Sequence, residues 1–393
     1  MRYNKDNSEK HSLGVIEKRL KMKIREKGKK PATTSLLGFG CMRLPVTKDG
    51  KIDRPEAMKM MDYAYEHGVN YYDTAYFYHS KESEPVVGEW VKTKQRDTFY
   101  LATKSPTWVC KDIADFDRIL DEQLANLQTD YVDFYLLHAL NRQRWEQIQQ
   151  MNLLPHLQSV LDSGKVRRIG FSFHDDYELF EEILNAYDWD FCQIQFNYMD
   201  VDIQAGMRGY ELARSKNIPM VIMEPFKGGM LANVPDEIKK EFRSVHPDWS
   251  DASWALRWVG SHDNVMTVLS GMSTMDQVID NVRTFTEMEE LNEQELQTVD
   301  HARTLFNARI QVPCPACRYC MPCPFGLNIP QNFKLLNTAH VYNAFASQKE
   351  AYLQLDVTAR ASHCQKCGAC VPQCPQHIDI PGSMAKVASQ FED

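Results

Sequence analysis

The sequence predicts a parallel β/α barrel of eight strands followed by a small cysteine-rich domain, and three observations carry that prediction. From residue 35 to residue 271, short apolar runs that read as strands alternate with amphipathic runs that read as helices, without a break in composition. Three successive apolar runs finish on polar residues, Asp73, Lys104 and His138, as expected where the strand ends of a barrel open on one face. Beyond residue 307 the alternation stops, and eight of the eleven cysteines crowd into positions 314 to 374. Uninterrupted βαβα order argues for a parallel sheet, and eight units argue for its closed form. Such a barrel takes about 250 residues, so a chain of 393 residues has room for one small further domain. We place an N-terminal extension at 1–21, the barrel at 22–290, a linking helix at 291–312 and the cysteine domain at 313–393.

In chain order, residues 1–30 hold eleven Lys or Arg against four acids, although the whole chain carries a net charge of -8. Leu13, Ile16, Leu20 and Ile24 fall at helical spacing, but the stripe is short and the segment reads as a solvated extension. The first barrel strand is Ser35 to Cys41, with Gly38 and Gly40 at its end, where backbone approaches a ligand closely. Asp53 caps an amphipathic stretch carrying Ala57, Met60, Met61, Tyr63 and Ala64 on one face, and the strand with Asp73 follows. Further strands are expected at Phe99–Lys104, Tyr131–His138, Arg167–Phe173, Phe191–Asn197, Met220–Glu224 and Val265–Gly271. Helices fit between them at Phe116–Leu127, Leu153–Leu161, Tyr177–Ala186, Tyr210–Ser215 and Ala252–Val259, and a charged helix runs from Glu293 to Asn307.

No window is apolar over the roughly 20 residues that a membrane span needs. The basic N-terminus lacks the apolar centre of a signal peptide. The expectation is a cytoplasmic chain with neither membrane nor nucleic acid as partner. In that compartment, clustered cysteines point to metal rather than to a disulfide framework.

The chemistry centres on Val69-Asn70-Tyr71-Tyr72-Asp73-Thr74-Ala75-Tyr76-Phe77-Tyr78, a short aromatic strand running into a loop with an acid and a phenol five residues apart. A lysine between them would lower the phenol's pKa, ordinarily about 10, by stabilising the phenolate. Lys104 ends the next apolar run and His138 the one after. A lone histidine or lysine at a strand end is usually a packed or solvated residue; four such residue types at four such positions are not explained that way. Asp73, Tyr78, Lys104 and His138 resemble, in order and spacing, the Asp-Tyr-Lys-His tetrad of the aldo-keto reductases, and the resemblance covers most of the chain. It implies hydride transfer from NADP(H) or NAD(H) to a small-molecule aldehyde or ketone. Tyr78 would act as general acid, Lys104 as its activator, Asp73 as the lysine's anchor and His138 as the donor that orients the carbonyl. Lys23 to Pro31 resembles the hairpin that plugs the barrel bottom in this family.

The resemblance also implies cofactor contacts. Gly40, Met42 and Arg43 would lie at the nicotinamide with Asp73, and Ser172 and Gln193 would hold its carboxamide. Phe173 stands where many members have asparagine, and His174 is the candidate substitute. Pro225, Lys227 and Gly228 belong to a loop expected over the pyrophosphate, and Lys227 reads equally well as an exposed lysine. Gly271, Ser273, Thr274, Gln277 and Asn281 would meet the adenosine end, where a helix N-terminus favours phosphate. Met272 and Gln277 replace the basic residues that grip the 2'-phosphate in many members, so no NADPH preference follows.

The tail carries Cys314-x2-Cys317-x2-Cys320-x2-Cys323-Pro324, then Cys364-x2-Cys367-x2-Cys370-x3-Cys374-Pro375. The second run fits the bacterial ferredoxin pattern, in which three cysteines hold one 4Fe-4S cluster and the fourth ligates the other. Cross-ligation gives one cluster Cys314, Cys317, Cys320 and Cys374, and the other Cys364, Cys367, Cys370 and Cys323. The first run is one residue short before its last cysteine, so the expectation of two clusters has one cluster as its alternative. Zinc is the rival metal, since paired CxxC motifs bind it tetrahedrally. Cys-x2-Cys-x2-Cys runs ending in Cys-Pro, seen twice, favour iron and sulfide. The clusters also open a second functional reading: an electron-transfer protein exchanging electrons between nicotinamide or flavin and a ferredoxin or flavoprotein partner. A sensor that binds nicotinamide without catalysis is disfavoured by the intact tetrad. Tyr76, Phe77, Trp108 and Phe173 are expected to line the mouth and to suit an apolar or aromatic carbonyl.

Overall fold

The computed structural model describes residues 21–392; the proposed N-terminal extension lies outside the described residues except for Lys21. A hairpin of β1 (Ile24–Lys27) and β2 (Ala32–Ser35) comes first. Eight parallel strands then close a barrel: β3 (Leu37–Gly40), β4 (Tyr71–Asp73), β5 (Tyr100–Ser105), β6 (Phe134–Leu140), β7 (Ile169–Phe173), β8 (Phe191–Gln195), β9 (Met220–Met223) and β10 (Val265–Gly271), which pairs back with β3. The hairpin covers the end where the strands begin. Arg25 donates to the carbonyls of Gly260, His262 and Val265 at 2.6, 2.6 and 2.8 Å, and Thr34 Oγ1 donates to the Met266 carbonyl at 3.0 Å.

Among the described residues, ten helices accompany the barrel: α1 (Arg54–Glu66), α2 (Ser83–Val91), α3 (Ile113–Leu127), α4 (Arg142–Gln150), α5 (Leu153–Asp162), α6 (Tyr177–Ala186), α7 (Gly206–Ser215), α8 (Asp236–Val245), α9 (Asp251–Gly260) and α10 (Met275–Thr286). Side-chain N-caps on Asp53, Asp112, Asn141, Asp176, Ser250 and Thr274 start six of them by accepting an orphan N–H from the first turn. Helices α2, α4 and α8 escape the sequence reading. In α2 the reason is burial on almost every side, Ser83 and Glu84 included, which erases the polar face that periodicity needs. Gly88 of α2 packs so closely on α3 that a Cβ there would land on the Asn126 carbonyl oxygen. Gly88→Ala should therefore destabilise the barrel by about 1–3 kcal/mol, read as a lowered thermal midpoint.

Inside the barrel, Tyr71, Ala102, Phe134, Leu136, Phe191, Val221 and Met266 form an apolar floor. Asp73, Lys104, His138 and Gln193 each lie two residues beyond a floor residue on the same strand. Because side chains alternate with a period of two, these polar groups share the inward face one layer above the floor.

Helix α11 (Glu293–Ala308), started by a capping box of Asn292 and Glu295, leads out of the barrel. The cysteine domain adds α12 (Ile329–Val341), α13 (Phe345–Leu353) and α14 (Ile380–Phe391) around its own small core of Leu327, Phe333, Leu336, Tyr352, Met384 and Phe391. Helix α14 was not foreseen. The domain docks at the barrel mouth: Phe306 meets both Tyr198, after β8, and Tyr342, after α12. Arg309 joins the His340 carbonyl at 2.9 Å to Glu237 of α8 at 2.8 Å.

Candidate active site

Strands β4, β5 and β6 deliver the four predicted side chains to one point. Lys104 Nζ, 1% exposed, donates to Asp73 Oδ1 at 2.5 Å, to the Thr74 carbonyl at 2.8 Å and to the Tyr78 hydroxyl at 3.3 Å. His138 faces Tyr78 edge-on with ring centroids 6.0 Å apart, and rests on Trp108 at 5.3 Å. Tyr78 opens a short turn whose next three residues, His79, Ser80 and Lys81, all have positive φ.

Burial sets the electrostatics. It pushes the Asp73 carboxyl above the ordinary carboxylate value, with Lys104 pulling the other way. Burial works against the Lys104 ammonium too, but Asp73 and Tyr78 outweigh it and hold the lysine above its ordinary value. For Tyr78 the expected lowering is not the net result. Burial raises the phenol above its ordinary value and Lys104 offsets only part of this, so the hydroxyl keeps its proton at neutral pH. His138 is held well below the ordinary imidazole value by burial first and then by Lys104, Arg144 and His174. It is therefore a neutral ring with one N–H to donate.

Above the four lies a cavity of about 470 Å3 bounded by the ends of β3 to β10. Of the residues predicted to hold a cofactor, Gly40, Met42, Arg43, Asp73, Ser172, Gln193, Pro225, Gly228, Gly271, Ser273 and Gln277 line it, and so does His174. Three predicted residues do not. Lys227 pairs with the buried Asp200, Thr274 caps α10, and Asn281 donates to Ser270 Oγ at 2.7 Å behind β10. Met223, Phe226 and Leu269, which the sequence reading passed over, line the cavity as well; apolar residues at strand ends give no chemical signal. Among the aromatics expected at the mouth, Phe77 and Trp108 stack at 5.8 Å. Tyr76 instead hydrogen-bonds Glu122 of α3, and Phe173 faces outward onto Phe180 of α6.

The pattern of the Aldo/keto reductase family matches residues 36–304, more than half of the chain. The chain belongs to the aldo/keto reductase family. A second pattern, described as a 4Fe-4S dicluster domain, matches residues 313–378 of this reductase. Among curated proteins it is 25% identical over 296 residues to L-galactose dehydrogenase of Arabidopsis thaliana, covering 69% of this chain and 90% of that protein. It is 28% identical over 211 residues to methylglyoxal reductase YeaE of Escherichia coli, covering 52% and 70%. Among solved structures, aldo-keto reductase AKR11C1 from Bacillus halodurans in its holo form superposes with a TM-score of 0.61 at 27% identity, covering 72% of this chain and 96% of that one. This reductase is an oxidoreductase with a (β/α)8 barrel and an appended iron-sulfur domain.

The residues at the reductase's cavity fit a nicotinamide cofactor. Gln193 Oε1, Asp73 Oδ2 and His138 Nδ1 are buried without a hydrogen-bond partner in the protein and await polar partners from a ligand. At Gly229, φ 95, an added Cβ would meet nothing, so backbone there lies open to a close approach. Ser172 Oγ is already engaged, accepting from the Ala139 amide at 2.6 Å.

The tail holds two cages side by side. One cavity is lined by Cys314, Cys317, Cys320 and Cys374, the other by Cys323, Cys364, Cys367 and Cys370, and Cys320 borders both. Among the described residues, no three His, Cys, Asp or Glu side chains converge closely enough to hold a single metal ion. Four thiols border each cavity, as the four-cysteine ligation of a 4Fe-4S cluster requires. No helix among the described residues is long and apolar enough to cross a membrane.

Proposed function

We propose that this chain is a carbonyl reductase that uses NADPH or NADH and carries two cross-ligated 4Fe-4S clusters. The hydrogen bond from Lys104 to Tyr78, within reach of neutral His138 at the mouth of a large cavity, carries the reading. When bound there, a reduced nicotinamide supplies a hydride to the substrate's carbonyl carbon. His138 donates its N–H to the carbonyl oxygen and orients it. Tyr78 gives the same oxygen its proton, and the phenolate left behind is stabilised by Lys104 until solvent returns the proton. Asp73 fixes Lys104 and keeps it charged. Gln193 would hold the carboxamide, with Ser172 beside it, while Gly40, Met42, Arg43, Pro225 and Gly228 would contact the middle of the cofactor. Gly271, Ser273 and Gln277 would reach its far end, with Thr274 and Asn281 supporting the helix and strand there. Lys227 would act on that loop through Asp200 rather than on phosphate.

The test is multiple-turnover reduction of an aromatic aldehyde with each nicotinamide in turn. Sustained turnover supports the reading, and cofactor binding without turnover would sink it. A pH profile adds a second check. Because burial keeps His138 neutral and Tyr78 protonated, kcat/KM for reduction should stay flat from about pH 6 to 9 and fall only as pH rises through the Tyr78 pKa, above about 10. An inflection near the ordinary imidazole value would show His138 titrating.

The adjacent cages favour one further element: electrons passing between the clusters, and from them to a ferredoxin or flavoprotein partner. Each cluster moves one electron, whereas hydride carries two, so a pair of clusters matches the count. The setting we propose is the cytoplasm.

A further inference from the structure

Burying a charge is costly unless a partner compensates it, and the fold obeys this at most of the guanidinium groups it desolvates. Arg25 has Glu290 as its nearest acid, and Arg257 has Glu287 and Glu295. Arg144, on the first turn of α4, breaks the pattern. Half-buried, it has its pKa lowered by desolvation, and no carboxylate among the described residues pairs with it. Its neighbour Arg142, by contrast, is paired with Glu182 at 2.6 Å.

Arg144 borders the active site through Trp108, just outside the residues that line the cavity itself. Its guanidinium lies 4.0 Å over the ring of Trp108, and that ring rests 5.3 Å from His138. One arm is fixed by a 2.6 Å bond from Nη1 to the carbonyl of Ala139, the residue after His138, whose φ of 52° lies where the pairing of β6 with β7 shifts register. The remaining N–H groups are left in a rigid plane beside the ring that would orient the substrate carbonyl. Phe77, stacked on Trp108, extends an apolar wall along the same side.

For a carbonyl reductase, as proposed above, we propose that the substrate is an oxo acid: a carbonyl compound whose own carboxylate is held by Arg144 while its carbonyl sits at Tyr78 and His138. A guanidinium plane matches a carboxylate through paired N–H bonds. Of the other cations near the mouth, Lys104 is engaged by Asp73 and Arg142 by Glu182, and Arg43, after β3, is assigned above to the cofactor. A single available guanidinium suits a monoanion better than a phosphate ester. The Trp108 and Phe77 wall between the two ends suits an aromatic ring or a short alkyl chain.

The experiment compares 4-carboxybenzaldehyde with methyl 4-formylbenzoate, using the full-length holoprotein and NADPH or NADH, in wild type, Arg144→Gln and Arg144→Lys. The ester is the more electrophilic aldehyde, so chemistry alone favours it. With Arg144 in place the carboxylate should win by about tenfold or more in kcat/KM, mostly through KM, as expected for a charge-assisted hydrogen bond. Arg144→Gln should erase that preference, and Arg144→Lys, which keeps the charge but not the plane, should keep part of it. No preference in wild type, or a preference that survives Arg144→Gln, overturns the proposal. If neither aldehyde is turned over, the carbonyl-reductase reading fails, and calorimetric titration of benzoate into the nicotinamide-loaded protein decides the anion site separately. Benzoate affinity reduced about tenfold or more by Arg144→Gln upholds it; equal affinity, or no binding, overturns it.

Discussion

Tyr78→Phe should lower carbonyl turnover by about a hundred- to ten-thousandfold, the usual contribution of a positioned general acid, while nicotinamide affinity changes little. The substitution removes one oxygen and leaves the ring. Phe at this position keeps the edge-on packing against His138, and Lys104 retains its bonds to Asp73 and to the Thr74 carbonyl. What disappears is the proton donor and the acceptor of the 3.3 Å bond from Lys104. Stopped-flow measurement of hydride transfer, with cofactor titrated by fluorescence, separates the two effects. Turnover retained within tenfold would remove Tyr78 from the role and shift the burden to His138. A parallel loss of cofactor affinity would mean that the hydroxyl holds the nicotinamide rather than the substrate. Tyr78 lies above the ordinary phenol pKa because burial outweighs Lys104. On the proposed mechanism the lysine's contribution is to the phenolate formed during reaction, an interaction stronger in the transition state than in the ground state.

Much of this arrangement was legible because strands place residues by simple arithmetic. An apolar floor residue and a polar residue two positions later announce both the inward face and the open end, as Tyr71 and Asp73, or Ala102 and Lys104, show. Pairings made by tertiary approach leave no such trace. Lys227 looks like a free lysine in a glycine-rich loop, and only the fold brings it to Asp200, 27 residues earlier. Arg144 sits in the polar run Asn141-Arg142-Gln143-Arg144, which shows no apolar period, and only the fold puts Trp108 beneath it. Phe173 misled for a related reason. It follows Ser172 directly, and the alternation that turns the serine inward turns the phenylalanine toward α6. The sign of the Tyr78 shift required knowing how completely the loop after β4 covers the hydroxyl, and no local motif encodes that cover.

Protein purified without oxygen should contain about eight irons and eight sulfides per chain, the content of two 4Fe-4S clusters, and paired cysteine substitutions should then reveal which cage each thiol serves. The cavities put Cys374 with Cys314, Cys317 and Cys320, and Cys323 with Cys364, Cys367 and Cys370, so each cage borrows its fourth ligand from the other motif. If so, Cys314→Ala combined with Cys374→Ala removes ligands from one cage and leaves about four irons. Cys364→Ala combined with Cys374→Ala strikes both cages and leaves almost none. Motifs that each bound their own cluster would give the opposite result, with the second pair sparing one cluster and the first sparing neither. Zinc without sulfide in the unsubstituted protein would reject clusters altogether. About four irons in that protein would mean that only one cage loads, and the shorter spacing before Cys323 would then mark the defective one. Loss of a cluster should also be costly to the fold. The domain's own core is small, with both cysteine runs packed against it, and a domain of this size depends on such internal staples. The second double variant should therefore lose the tail's protease resistance while the barrel keeps its own.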